Sequence, residues 1–206
     1  MTFPDTKFDQ VADYSDAYFE HYAKAAASVD REKLAVAVEI LQRAYENKNN
    51  LYVCGNGGSA SISNHLVCDH GKLIATDTDL LPRTESLASN IEVITAIAND
   101  ITYDQVFIHQ LKIAADPGDV LITVSSSGDS ENIVQAATWA RANDMDVISM
   151  TGFSGGRSAE IANVNLHVDG DNYGVIEDVH QSLMHLLGQF MRQARMDEKL
   201  IKERKF

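Results

Sequence analysis

The chain has 206 residues, 45% of them hydrophobic and 23% charged, which suits one compact α/β domain or one domain with a helical extension. Its net charge of −13 argues against a general nucleic-acid or anionic-membrane surface, but not against a phosphate held by backbone N–H groups in a local pocket. No apolar run approaches the roughly 20 residues of a membrane span.

The N-terminus, "MTFPDTKFDQVADYSDAYFEHY", is acidic and lacks the basic start and apolar run of a secretory signal. Cys54 and Cys68 have neither metal-type spacing nor a disulfide framework, so a cytoplasmic, reducing setting is expected. Two helical patterns come first, over 12–28 and 30–47. Tyr14, Tyr18, Tyr22 and Ala25 recur along one face of the first, and Leu34, Val38, Leu41 and Tyr45 mark the second. Strands then alternate with helices. "LYVCG" (51–55) reads as a buried strand, with a helix from about residue 60. "TESLAS" (84–89) reads as a second strand, followed by helical stretches over 91–98 and 104–115. "DVLITVSSSG" (119–128) is a strand ending in a polar loop, with a helix over 130–143. "DVISMTG" (146–152) and "VNLHVDG" (164–170) are strands around a short helix at 157–162, and a long helix over 175–196 closes the pattern. Apolar strands separated by helices imply a parallel sheet covered on both faces, doubly wound and flavodoxin-like. Ligands then bind beyond the C-terminal ends of the strands.

Two loops lie at that place. "GNGGS" (55–59) joins a strand to a helix, and a tight turn with Ser59 as helix cap would explain it alone. "SSSGDSEN" (125–132) repeats the arrangement with Ser125, Ser126, Ser127 and Ser130. A cap needs one hydroxyl, and four around one glycine exceed that need. Neutral donors with a helix dipole suit a phosphoryl group. Neither loop carries the P-loop lysine or the "GxGxxG" fingerprint, so a small phosphorylated metabolite fits better than a nucleotide cofactor. His65 and Asp69 share a face of the helix after the first loop, and Glu177, His180, Gln181 and His185 share a broad face of the last helix. Each set alone would pass for a solvated polar face. Together they offer carboxylate and imidazole from two helices, as acid–base chemistry or a metal site requires.

"CGNGGSA", "TAIANDITYDQVF", "PGDVLITVSSSGDSENI", "MTGFSGG" and "IEDVHQSLMHLL" follow in that order, and in this the chain resembles the sugar isomerase (SIS) domain family, in particular its phosphoheptose isomerase branch. The resemblance implies a three-layer, five-stranded parallel sheet in residues 49–206. Residues 1–48 are expected to form a helical segment packed on that domain or on a partner subunit. It implies a homotetramer with sites at subunit interfaces, the last helix contributing to a neighbour's site. It places a sugar phosphate on Ser59, Ser125, Ser126, Ser127 and Ser130 and the glycines Gly57 and Gly58, with Asn56, Asp100 and Glu177 near the sugar. The implied reaction is aldose–ketose isomerisation through an enediol, with Asp69 and His185 as base and acid. The sequence leaves His180 open as a catalytic, an orienting or a packing residue, and an orienting role is the expectation. His65, Asp69, Glu177 and His185 match the positions at which some members hold zinc. Asp69 stands where the family has glutamate, Glu177 where it has glutamine, and Lys72 is the nearest replacement for the basic residue that the family carries shortly after that glutamate. The segment 72–89 also departs from the family pattern. Sedoheptulose 7-phosphate is the expected substrate. The alternatives are a non-catalytic sugar-phosphate or protein-binding module and a metal-dependent isomerase of another sugar phosphate.

Overall fold

A computed structural model describes residues 2–206. Five strands form one parallel sheet: β1 (Asn50–Gly55), β2 (Arg83–Ser86), β3 (Val120–Ser125), β4 (Asp146–Thr151) and β5 (Val164–His167). Their order is β2-β1-β3-β4-β5. This is the flavodoxin-like winding, and its direction reverses between β1 and β3. The register pairs Gly55 with Val124, so the two loops leave the sheet side by side at the reversal.

Alternation along the strands divides the core. Leu51, Val53, Val120, Ile122, Val124, Ile148 and Met150 face one cluster. That cluster includes residues of helices α1 (Val11–Ser28), α2 (Arg31–Glu46), α3 (Gly58–Cys68) and α8 (Tyr173–Arg195). Tyr52, Cys54, Leu121 and Val147 face the other. There they meet α4 (Ile91–Asp100), α5 (Ile108–Ala114), α6 (Glu131–Ala142) and the end of α7 (Gly156–Ile161). A sheet buried on both faces needs continuous apolar strands, and all six residues of β3 are buried. The three-layer fold expected from the sequence is the one found.

α1 lies outermost against α8, where its tyrosines are polar anchors. The Tyr18 hydroxyl donates to Asp178 at 2.6 Å, and Tyr22 Oη lies 2.7 Å from Ser182 Oγ. The expected helix over 104–115 is instead a 3-10 turn at Tyr103–Gln105 followed by α5. Val106 and Phe107, both buried, break the run by turning into the core. After α3 the chain widens into a π-helical turn, Asp69–Leu73, which periodicity did not foreshadow. A short α9 (Glu198–Ile201) follows α8. Among the described residues no helix is long and apolar enough to cross a membrane.

Candidate active site

The two loops enclose a recess of about 160 Å³ lined by Asn56, Ser59, Ser125, Ser126, Ser127, Ser130, Tyr173 and Glu177. Its serines are not occupied as helix caps. The cap of α3 is Gly57, at φ +56°, rather than Ser59. Ser130 caps α6 by backbone position only, without a side-chain hydrogen bond. Ser126 Oγ is buried with no partner. Ser125 Oγ accepts from the Gly128 N–H at 3.2 Å, and Ser127 Oγ from the Asp129 N–H at 3.3 Å, so these two also shape their loop. Free hydroxyls beside the N-termini of α3 and α6 make a cradle for an anion.

The second loop is braced by "GFSGG". Gly128 takes φ +64°, and a Cβ there would collide with the Gly155 carbonyl. The Ser158 N–H donates to Gly128 O and the Gly152 N–H to Ser126 O, both at 2.9 Å. Asn56 is fixed by a reciprocal amide pair with the buried Asn132, at 2.9 and 3.0 Å, and by the Tyr103 hydroxyl at 2.8 Å. Asn132, Tyr103 and Tyr173 were not legible as site residues. Their positions depend on how α6, the 3-10 turn and α8 converge on the loops. Asp100, expected near the sugar, is exposed at the end of α4, accepts from the Asn99 amide and does not line the recess.

Further along α3 and α8 lies a second group. His185 Nδ1 is 2.8 Å from Asp69 Oδ2, and His65 Nε2 is 3.5 Å from Asp69 Oδ1. Gln181 Nε2 lies 3.0 Å from both His65 Nδ1 and His185 Nε2. One tautomer set satisfies every contact: the amide donates to those two ring nitrogens, and the opposite nitrogens donate to the carboxylate. In the sequence Gln181 stands out only as part of a polar helix face. One ligand atom each from His65, Asp69 and His185 lie within 4.8 Å of one another. Two imidazoles and a carboxylate, with a position left open, suit a catalytic zinc ion.

Glu177 is a correction to the expected four-residue ligand set. It is not part of this group. It sits two turns of α8 before His185, with its carboxylate over Gly58, where a Cβ would collide with it. Partial burial raises its carboxyl pKa, with Asp178 adding to the effect. Lys72 is exposed on the π-helical turn. His180 is fully buried, with Nε2 3.2 Å from the Thr151 carbonyl and Nδ1 unpartnered. Burial pushes its imidazole down to about 4, so it packs as a neutral ring behind the recess.

The SIS domain family model matches residues 14–152. The chain belongs to the SIS domain family, on its phosphoheptose isomerase branch. It is 37% identical over 161 residues to a phosphoheptose isomerase of Bordetella avium, covering 76% of this chain and 80% of that one. Among solved structures it is similar to phosphoheptose isomerase GmhA from Neisseria gonorrhoeae, with a TM-score of 0.81 and 28% identity. That match covers 89% of this chain and all of the other. A phosphoheptose isomerase from Francisella tularensis gives a TM-score of 0.82 at 28% identity, covering 91% and 99% of the two chains.

Proposed function

We propose that the chain is a sugar-phosphate aldose–ketose isomerase that interconverts sedoheptulose 7-phosphate and the corresponding aldoheptose 7-phosphate through an enediol. One observation carries this reading. Ser59 at the start of α3 and Glu177 near the start of α8 line the serine recess, and further along the same two stretches Asp69, just past α3, meets His185 of α8. From Glu177 to His185 is about 12 Å of helix rise. A sugar anchored by its phosphate in the recess can therefore present its other end to Asp69.

In the ketose-to-aldose direction, the Asp69 carboxylate removes a proton from C1. The Nδ1–H of His185, which donates to Asp69 in the free protein, passes to the C2 carbonyl oxygen. Asp69 then returns its proton to C2, and His185 recovers one from the C1 hydroxyl. Gln181 keeps both imidazoles in the required tautomers. Asn56, held by Asn132 and Tyr103, forms part of the recess wall from a fixed position. If zinc is bound, His65, Asp69 and His185 would hold it, and it would polarise the substrate oxygens. That donor group favours a zinc-dependent form of the reaction as the second reading.

A cytoplasmic homotetramer is part of the proposal, with residues 1–48 serving as a helical segment packed on the sheet domain. It is supported by the family relationship and by the unpaired Cys54 and Cys68. The test is to follow the aldose anomeric proton by NMR with five-, six- and seven-carbon ketose phosphates, with and without zinc. The heptulose phosphate should be turned over fastest. Binding without turnover under any condition would instead indicate a non-catalytic binding module.

A further inference from the structure

An aspartate has a single methylene between backbone and carboxylate, so the backbone largely decides where that carboxylate sits. At Asp69 the backbone is unusual. The regular ladder of α3 ends at Cys68, and the Asp69 carbonyl accepts from the Ile74 N–H, five residues on, at 3.3 Å. Such π-helical turns are rare and concentrate at functional sites.

One residue of the turn carries its buried polar contact. His70 is fully buried, and its Nδ1 lies 2.7 Å from the hydroxyl of Tyr45, itself buried on α2. The two rings meet edge to face, 6.3 Å apart at 75°. On its other side His70 lies against α8. A Cβ at Gly188 would be 3.5 Å from its Cδ2 and 3.7 Å from its Nε2, which has no hydrogen-bond partner, and the ring neighbours the Met184 backbone. Met184 immediately precedes His185. Asp69 and His70 are thus consecutive residues that meet consecutive residues of α8, one pair at the site and one beneath it. A buried imidazole and phenol cost desolvation that an apolar pair would avoid, and neither lines the serine recess.

We propose that His70 and Tyr45 are positioning residues: by pinning the π-helical turn between α2 and α8, they set the reach of the Asp69 carboxylate to His185. This rests on Asp69 acting as the base. The short side chain and the widened turn form a matched pair, so changing either alone misplaces the carboxylate.

The test combines Tyr45→Phe, which keeps the ring and removes the oxygen, with Asp69→Glu. Tyr45→Phe should lower kcat by about 10- to 100-fold and leave KM within about twofold, as expected for a misplaced reacting group. Asp69→Glu should lower kcat in the wild-type background but raise it in the Tyr45→Phe background. His70→Asn, whose side-chain oxygen can accept from Tyr45, should retain more kcat than His70→Leu at equal Tm. This comparison stands even if Tyr45→Phe folds poorly. In the full chain labelled with 15N-histidine, the His185 Nδ1–H resonance should lie downfield in the wild type and move upfield in Tyr45→Phe. That measurement needs no turnover, so it judges the positioning even if Asp69 proves not to be the base. Additive effects of Tyr45→Phe and Asp69→Glu on kcat, or an unmoved His185 resonance, would overturn the proposal.

Discussion

Replacing Ser126 by alanine should make the free protein more stable and its ligand binding weaker. In the free protein Ser126 Oγ is buried without a partner, and such an unpaired group costs about 1–3 kcal/mol. Alanine removes that cost and leaves only a one-atom void. With a phosphate in the recess, the same hydroxyl makes a charge-assisted hydrogen bond of about 1.5–3 kcal/mol. Its loss should weaken binding by about 10- to 150-fold. Thermal denaturation with and without sugar phosphate, together with calorimetric titration, reads both quantities. Tm of the free protein should hold or rise, and the ligand-induced rise in Tm should shrink. Ser125→Ala is the control. Its oxygen already holds the Gly128 N–H, so it should lose stability and binding together. A Ser126→Ala protein that is destabilised yet binds normally would refute the cradle, because the hydroxyl would then be structural.

Further outcomes follow from the same geometry. Asp69→Asn should lower kcat by about 10²- to 10⁴-fold, measured as initial rates, with sugar-phosphate binding nearly intact. Gly128→Ala forces a Cβ into the Gly155 carbonyl at a positive φ, so it should cost at least about 1–3 kcal/mol in denaturant titration and weaken phosphate binding as well. His70 and His180 are both pushed from 6.5 to about 4 by burial, and remain neutral in the folded state where they would be protonated in the unfolded chain. The unfolded chain therefore binds more protons between about pH 6.5 and 4, and folding stability should fall as pH drops through that window. Each histidine accounts for about 3 kcal/mol, which urea titrations at pH 7, 5.5 and 4.5 would resolve. Stability that is flat across that range would mean the imidazoles are not neutral and buried.

The layered fold was legible because β-sheet burial and helix periodicity leave strong local marks. The runs at 51–55 and 119–125 could be little else than buried parallel strands. The serine loops were legible for a chemical reason, since they carry more hydroxyls than turns require. Other features depend on packing. The face of α8 bearing Glu177, Gln181 and His185 was visible, but not which carboxylate or amide reaches α3. The structure gives that place to Gln181 and leaves Glu177 at the recess. His180 looked like part of that polar face, yet it turns inward toward the end of β4. The π-helical turn has no periodic signature at all, and the residues that pack on it, Tyr45 of α2 and Gly188 of α8, are remote in sequence. The Asn56–Asn132 pair joins residues 76 positions apart, a separation that only the completed sheet reveals.

The central claim is that Asp69 carries a proton between C1 and C2 of a bound sugar phosphate. The most direct test is to incubate sedoheptulose 7-phosphate with the protein in D2O, with and without zinc, and follow deuterium by NMR. The wild type should introduce deuterium at C1 of the recovered ketose and at C2 of the aldose, and Asp69→Asn should introduce neither at a comparable rate. No exchange by the wild type in either condition, or undiminished exchange by Asp69→Asn, would contradict it.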